Sequence, residues 1–203
     1  MKTMRYGSWD SPITSDLVAS GTVRYADIWI DNDDIYWLET RPDQQGRSVI
    51  VRQNPAGDIV DVTPPLIDVR TKVHEYGGGS YICEDGIIYF SNSSDQRLYR
   101  SDAFQAATQP LPITAENLDN RYANATIDKP RNRLICVQEN HESNAEPVNR
   151  IISVSLNNNC AETILVSGSD FYASPMVSPD GKKLAWIQWD HPNMPWDGNE
   201  LYV

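Results

Sequence analysis

The segment from Arg70 to Gly79 has the most unusual local composition in the chain and holds the side chains best suited to chemistry. His74, Glu75 and Tyr76 are consecutive there, and three glycines follow them. Glycine permits positive φ angles and close approach of another backbone, which suits a loop beside a ligand. Glu75 could pair with the amine of a substrate, with His74 and Tyr76 beside it. The alternative is a connecting loop in which Glu75 bonds to backbone groups and His74 packs inside.

A second candidate is the loop from Trp189 to Gly198, which contains two tryptophans and two prolines. Exposed aromatic side chains on a rigid loop suit a docking surface. We therefore predict that His191, Met194 and Trp196 contact another domain. In the alternative, both indoles fold back onto the strands that precede the loop.

The acidic run Asp31–Asp34 resembles a calcium loop only superficially. An EF-hand would require glycine at Tyr36 and glutamate at Pro42, so a hairpin turn is the better interpretation. The three histidines are far apart in sequence, and the three cysteines have no C-x-x-C spacing. We expect no metal site, no disulfide and no cofactor.

No serine lies in the G-x-S-x-G pattern of a hydrolase nucleophile. Ser80 lacks the second glycine, and Ser169 lacks both. The sequence therefore predicts no catalytic residue in this chain.

The formal net charge is −11, and no basic stripe offsets it, so nucleic acid is not an expected partner. No apolar run approaches the 18 or so residues of a membrane span, and the N-terminal residues show no signal-peptide core. We expect no membrane partner and a cytoplasmic location.

Four short apolar runs repeat along the chain and indicate the fold. They begin at Ile35, Ile87, Leu134 and Leu184, with spacings of 52, 47 and 50 residues. A second mark, an aliphatic residue followed by Thr or Ser, recurs at Val62-Thr63, Ile113-Thr114 and Val166-Ser167. A period of about 50 residues made of short strands is typical of β-propeller blades.

This period predicts an all-β fold, a partial β-propeller over residues 25–203 that follows an extended lead-in at residues 1–24. Turn residues divide it into three four-stranded blades and a truncated fourth. The predicted strands are Ala26–Asp31, Ile35–Thr40, Ser48–Gln53, Ile59–Thr63, Ser80–Cys83, Ile87–Ser91, Arg97–Ser101, Leu111–Thr114, Ala123–Asp128, Arg133–Glu139, Arg150–Ser155, Thr163–Ser167, Pro175–Ser178, Lys183–Trp189 and Glu200–Val203. A short helical turn is expected around Ala103–Ala107, and a surface loop at Asn140–Asn149.

An incomplete propeller leaves a blade edge and a blade face without partners. We expect Trp186 and Trp189 to be exposed beside that edge, and the isolated fragment to self-associate.

Several stretches together resemble one protein family. They are YGSWDSPIT (Tyr6–Thr14), VHEYGGGSY (Val73–Tyr81), SNSSDQRLYR (Ser91–Arg100), LVSGSDFYASP (Leu165–Pro175) and SPDGKKLAWIQWDHPNMPWDGNELYV (Ser178–Val203). They are similar to the N-terminal propeller of prolyl oligopeptidase-family (S9) serine peptidases, in the acylaminoacyl-peptidase and dipeptidyl-aminopeptidase-like branch. The implied fold is TolB-like, as in dipeptidyl-peptidase N-terminal domains.

The resemblance implies a two-domain enzyme in which the propeller gates short peptide substrates and docks on an α/β-hydrolase domain. That domain carries the Ser-His-Asp triad and would lie beyond Val203, so this chain alone is expected to be inactive. Related peptidases use propeller carboxylates to pair with a substrate amine, which implies that role for Glu75. The alternative is a stand-alone interaction module without peptidase function.

Overall fold

The computed structural model describes residues 3–8, 11–19, 21–105, 108–143, 146–157 and 159–203. In this part of the chain, strands succeed one another as antiparallel hairpins. The first sheet contains β1 (Arg24–Asp31), β2 (Asp34–Arg41), β3 (Arg47–Gln53) and β4 (Ile59–Asp61), and the second contains β5 (Tyr81–Glu84), β6 (Ile87–Ser91), β7 (Leu98–Asp102) and β8 (Leu111–Pro112). The third contains β9 (Asn120–Asp128), β10 (Arg133–Asn140), β11 (Val148–Ser155) and β12 (Glu162–Ser167), and the fourth contains β13 (Phe171–Val177), β14 (Leu184–Trp189) and β15 (Glu200–Tyr202).

Each sheet is one blade, and its strands lie in chain order. The predicted partial propeller, with three four-stranded blades and an incomplete fourth, is therefore confirmed. About 5% of the chain is helical, which agrees with an all-β fold. None of the helices among the described residues is long and apolar enough to cross a membrane.

Three apolar clusters hold the blades together, one at each junction. Phe90 and Ile88 of the second blade pack on Tyr36 and Ile50 of the first. The other face of the second blade packs on the third blade, where Tyr89 and Leu134 belong to one apolar cluster. At the third junction, Ile135 and Val137 of the third blade share a cluster with Tyr172 of the fourth. Successive side chains of a strand point to opposite faces of the sheet, so one strand contributes apolar residues to both faces of its blade.

The innermost strands of three blades carry the same β-bulge. In each of β1, β9 and β13, two consecutive residues lie opposite a single residue of the neighbouring strand. The bulged residues Asp27, Asn124 and Ser174 have φ angles of 50°, 53° and 50°, in the left-handed region. Such bulges bend a strand and turn side chains in a new direction. The three bulged residues line a cavity of about 350 Å³ between the inner strands.

Some local expectations were wrong. The lead-in is not wholly extended, since it contains the five-residue helix α1 (Ser15–Ala19), and β1 begins within it. Of the expected helical turn at Ala103–Ala107, Ala103 and Phe104 do lie in a turn, which the bond from Gln105 N to the Asp102 carbonyl closes at 3.2 Å, and residues 106 and 107 fall outside the described residues.

The expected exposure of Trp189 was also wrong. Its indole is only 5% exposed, because it stacks on Phe171 with ring centroids 5.3 Å apart. Trp186 is half-buried and stacks on Tyr202.

A candidate binding cleft

A cleft of about 440 Å³ opens where the linker before β5 meets the ends of the third and fourth blades. It brings together two of the predicted substrate-binding residues and one of the predicted docking residues. All three histidines of the chain line it. The lining residues are His74, Glu75, Glu139, His141, Glu146, Pro147, Asn149, Asp170, Phe171 and His191.

The linker places His74 and Glu75 through an unusual backbone conformation. Their φ angles are 56° and 64°, in the left-handed region that side chains other than glycine rarely adopt. The backbone N–H of His74 donates to Glu139 Oε1 at 3.0 Å, and Glu75 N donates to the Lys72 carbonyl at 2.9 Å. These bonds compensate for the local strain and hold the linker against the third blade.

The His74 ring is a buried element of the cleft floor, with its side chain 4% exposed. Its Nε2 lies 3.2 Å from the carbonyl oxygen of Tyr172. Since a carbonyl can only accept, Nε2 carries the proton and donates. Burial lowers the pKa of His74 below its ordinary value, although the Tyr172 hydrogen bond and the charge of Glu139 oppose that shift.

Glu139 is the centre of the hydrogen-bond network. Its buried carboxylate accepts from His74 N, from His141 Nε2 at 2.8 Å and from Arg121 Nη1 at 3.3 Å. A buried carboxylate is costly unless it is paired in this way. Glu139 therefore ties the linker, the end of β10 and the start of β9 into one unit.

Glu75 occupies the rim of the cleft, and its side chain is 79% exposed. Its Oε1 accepts a 2.6 Å hydrogen bond from Arg121 Nη1. This bond and the charge of Arg121 lower the pKa of the Glu75 carboxyl, which stays ionised at neutral pH. Glu75 thus pairs with a guanidinium rather than with the backbone groups that the connecting-loop interpretation predicted.

Aromatic rings form one wall of the cleft. Phe171 stacks on Trp189, and His191 meets Phe171 edge-on at a centroid distance of 5.0 Å. His74 packs 5.4 Å from the Phe171 ring. Tyr76 lies 5.7 Å from the His74 ring and is 70% exposed, so it stands at the outer end of this wall.

The predicted docking loop is divided between two environments. His191 lies in the cleft wall, where its N–H donates to Asp170 Oδ2 at 2.9 Å. Met194 and Trp196 are exposed, Trp196 by 75%. Of the two indoles, Trp189 folds back onto its own blade and Trp196 remains exposed, and contact of this loop with another domain stays a prediction.

Sequence reasoning missed Arg121, Glu139, His141 and Asp170. Arg121 lies at the start of β9, Glu139 and His141 lie at the end of β10, and Asp170 precedes β13, and no local motif marks any of them. The distance in sequence between the histidines was a poor argument, because the fold brings all three to one cleft. Even so, no three His, Cys, Asp or Glu side chains among the described residues are arranged to hold a metal ion.

The charge of the cleft indicates the kind of group it can bind. Four carboxylates line it, from Glu75, Glu139, Glu146 and Asp170, and the guanidinium of Arg121 neutralises only part of their charge. An acidic cleft beside an aromatic wall suits an ammonium group attached to an apolar side chain.

Solved structures share this architecture over nearly the whole chain. A puromycin-hydrolysing peptidase from Mycobacterium tuberculosis is 36% identical, with a TM-score of 0.86, and the match covers 99% of this chain and 33% of that one. A puromycin hydrolase is 29% identical over 99% of this chain and 33% of its own, with the same TM-score. No family model and no curated protein matches the sequence.

The chain is a β-propeller of the prolyl oligopeptidase (S9) family. A prolyl endopeptidase is 12% identical, with a TM-score of 0.60, and the match covers 89% of the S9 propeller and 28% of the endopeptidase chain. At that identity the likeness is one of fold alone. The S9 propeller spans about a third of the length of the puromycin-hydrolysing relatives.

Proposed function

We propose that this chain is the non-catalytic propeller portion of an S9 serine peptidase. In this proposal the propeller admits short peptides, binds their free amino terminus in the cleft and docks on an α/β-hydrolase domain that performs the hydrolysis. The names of the two puromycin-hydrolysing relatives support a hydrolytic role for the whole protein.

The charge of the cleft carries the proposal. Its carboxylates outnumber its guanidinium, and two of them, Glu75 and Glu139, bond to the same Arg121 Nη1. Arg121 orients the Glu75 carboxylate through Oε1 only. Among the described residues Oε2 of Glu75 has no hydrogen-bond partner, so this oxygen can accept from an incoming ammonium group.

Docking through the loop after β14 agrees with the position of the cleft. His191 lines the cleft, and Met194 and Trp196 project from the same loop at the same end of the propeller. A catalytic domain seated on these two exposed side chains would cover the cleft. A peptide bound by its amino terminus would then extend toward that domain.

The test uses the longer protein that contains this propeller together with a catalytic domain. Glu75→Gln should raise KM about tenfold for substrates with a free amino terminus, since one charge-assisted hydrogen bond is lost. Acylated substrates of the same sequence should be affected less than twofold. Glu116→Gln, at a carboxylate outside the cleft, is the matched control and should change neither KM.

Equal effects of Glu75→Gln on free and acylated substrates would contradict amine recognition by Glu75. The 203-residue chain alone should hydrolyse neither substrate, because it contains no G-x-S-x-G nucleophile. Turnover by that chain that a serine-directed inhibitor blocks would contradict the non-catalytic role.

A further inference from the structure

A second polar cavity, of about 270 Å³, lies at the other end of the third blade. Its lining residues are Arg131, Arg133, Ser153, Ser155, Ala161 and Thr163. β10 runs from Arg133 at this cavity to Asn140 beside the cleft, a length of about 23 Å at the usual rise per residue. The two sites therefore lie at opposite ends of the propeller.

Strand register places the polar side chains of this cavity on one face of the blade. Arg133 pairs with Ser155 across β10 and β11, and Ser153 pairs with Thr163 across β11 and β12. Directly paired residues on neighbouring strands point to the same face, and residues two apart on one strand do so as well. A cation and three hydroxyl groups consequently share one small surface.

Asp128 holds both guanidinium groups in place. Its carboxylate is 1% exposed and accepts from Arg133 Nε at 2.8 Å and from Arg131 Nη1 at 3.1 Å. Burial acts to raise the pKa of Asp128, but hydrogen bonds from the two arginines lower it overall, so the carboxylate stays ionised. The arginines are thus fixed before any ligand arrives, which reduces the entropy cost of binding.

The pairing with Asp128 leaves several N–H donors unused. All hydrogen bonds of Arg131 leave from Nη1, to the two Asp128 oxygens and to the Gly181 carbonyl at 2.7 Å. Arg133 uses Nε and, at 3.4 Å, Nη1 toward Ser153 Oγ. Within the described part of the chain, Arg131 Nε and Nη2 and Arg133 Nη2 have no partner. A guanidinium carries five N–H donors, so these groups remain available.

The local charge is positive in a chain whose net charge is −11. Two guanidiniums face one carboxylate, and Lys182 and Lys183 line an adjoining cavity that shares both arginines. Asp180 lies 3.9 Å from Lys182, so these four cations face two carboxylates and the balance is positive. Oriented guanidinium donors, nearby hydroxyl groups and excess positive charge are the features that proteins use to bind oxyanions.

We propose that Arg131, Arg133 and the hydroxyl groups of Ser153, Ser155 and Thr163 form a binding site for a phosphate group. The oxygens of a phosphate can accept from both guanidiniums and from a hydroxyl at once. The group could come from the free ion or from a phosphate monoester, and both offer this chemistry. The site is remote from the peptide cleft and does not depend on the function proposed for it.

The test is calorimetric titration of the 203-residue chain with inorganic phosphate and, separately, with O-phosphoserine. Thr163→Val removes one hydroxyl at nearly constant volume, and Arg131→Lys removes the unused donors while a cation remains beside Asp128. Each substitution should weaken binding about tenfold, the effect of one charge-assisted hydrogen bond. Arg24→Gln, which removes a positive charge from β1, should leave the affinity within twofold.

Tighter binding of phosphoserine would identify a monoester as the ligand, and equal binding would identify the free ion. The proposal is overturned if neither compound binds saturably, or if Arg24→Gln weakens binding as much as Arg131→Lys. If Arg131→Lys fails to fold, the phosphate affinity of Thr163→Val is the deciding measurement. An affinity unchanged from that of the parent chain would contradict the proposed site.

Discussion

The carboxylate of Glu139 accepts a 3.0 Å hydrogen bond from the backbone N–H of His74, 65 residues earlier in the chain. This bond joins the linker between the first two blades to the end of the second strand of the third blade. It also positions Glu75, the next residue, at the rim of the acidic cleft. The geometry of the cleft therefore depends on a contact between distant parts of the propeller.

Glu139→Gln tests this contact directly. Glutamine keeps the shape of the side chain but weakens its bonds to Arg121 and to His141. We expect the free energy of unfolding to fall by about 1–3 kcal/mol, the usual cost of an incompletely satisfied buried network. Urea denaturation measures it, and Glu142→Gln, at an exposed neighbour, should change stability by less than about 0.5 kcal/mol.

The buried ring of His74 predicts a pH dependence of stability. Its pKa in the folded chain is lowered from the ordinary 6.5, so below pH 6.5 the unfolded chain binds a proton that the folded chain does not. This contribution to stability is complete above pH 6.5 and is lost as the pH falls toward the folded pKa. Carboxylates with lowered pKa, such as Asp128, contribute only at more acidic pH, near their ordinary value of 3.8.

Denaturation curves between pH 5 and pH 7.5 should therefore show stability rising with pH, and His74→Gln should flatten the slope. His141→Gln is the matched control, because it leaves the buried ring in place. A slope that persists in His74→Gln would assign the effect to another group.

Asp31 joins the first two blades through backbone hydrogen bonds. Its carboxylate accepts from Asp85 N at 3.0 Å and from Gly86 N at 2.6 Å, and so caps the β5–β6 hairpin. Asp31→Ala should lower the melting temperature and reduce the free energy of unfolding by about 1–3 kcal/mol, since both donors lose a charged acceptor. Asp33→Ala, in the same turn, should have little effect.

The same pair of variants tests the rejected calcium interpretation of this acidic run. Neither calcium nor a chelator should change the melting temperature of the chain. A calcium-dependent stabilisation that Asp33→Ala removes would show that the run binds metal after all.

Exposed apolar residues on the first and fourth blades predict self-association of the chain. Nearly all of β1 is exposed, whereas the equivalent strand β9 of the third blade is buried or half-buried. Ile28, Ile30 and Leu201 are each more than 70% exposed. Apolar faces of this kind drive association.

Sedimentation at micromolar concentration should show species larger than a monomer. Replacing Ile28 and Leu201 by glutamate should shift the distribution toward the monomer, while glutamate at Thr163 on the third blade should not. A monomeric parent chain would contradict the prediction.

The fold was predictable from the sequence because its signals are local and repeated. Apolar runs at Ile35, Ile87, Leu134 and Leu184 each became the second strand of a blade, and the turn residues between them ended the strands within a few positions of the prediction. Hairpins join neighbouring residues, so alternation and turn chemistry are enough to define them.

The cleft was only partly predictable. The sequence pointed to His74 and Glu75 through an unusual local composition, and to a loop with two tryptophans. It could not distinguish the buried Trp189 from the exposed Trp196, because that difference depends on the position of Phe171 in the neighbouring strand.

Tertiary structure alone decided which charges meet. Arg121 and Glu139 are paired within the third blade by the register of β9 and β10. Their contacts with Glu75 and His74 of the linker depend on how the blades stack, and the stacking is set by apolar contacts that are not specific in direction. The same stacking brought together three histidines that are far apart in the chain. By contrast, Arg131 and Arg133 share the carboxylate of Asp128 because all three residues lie in the β9–β10 hairpin. Periodicity determines the strands of a blade, whereas a site between blades depends on packing over the whole propeller.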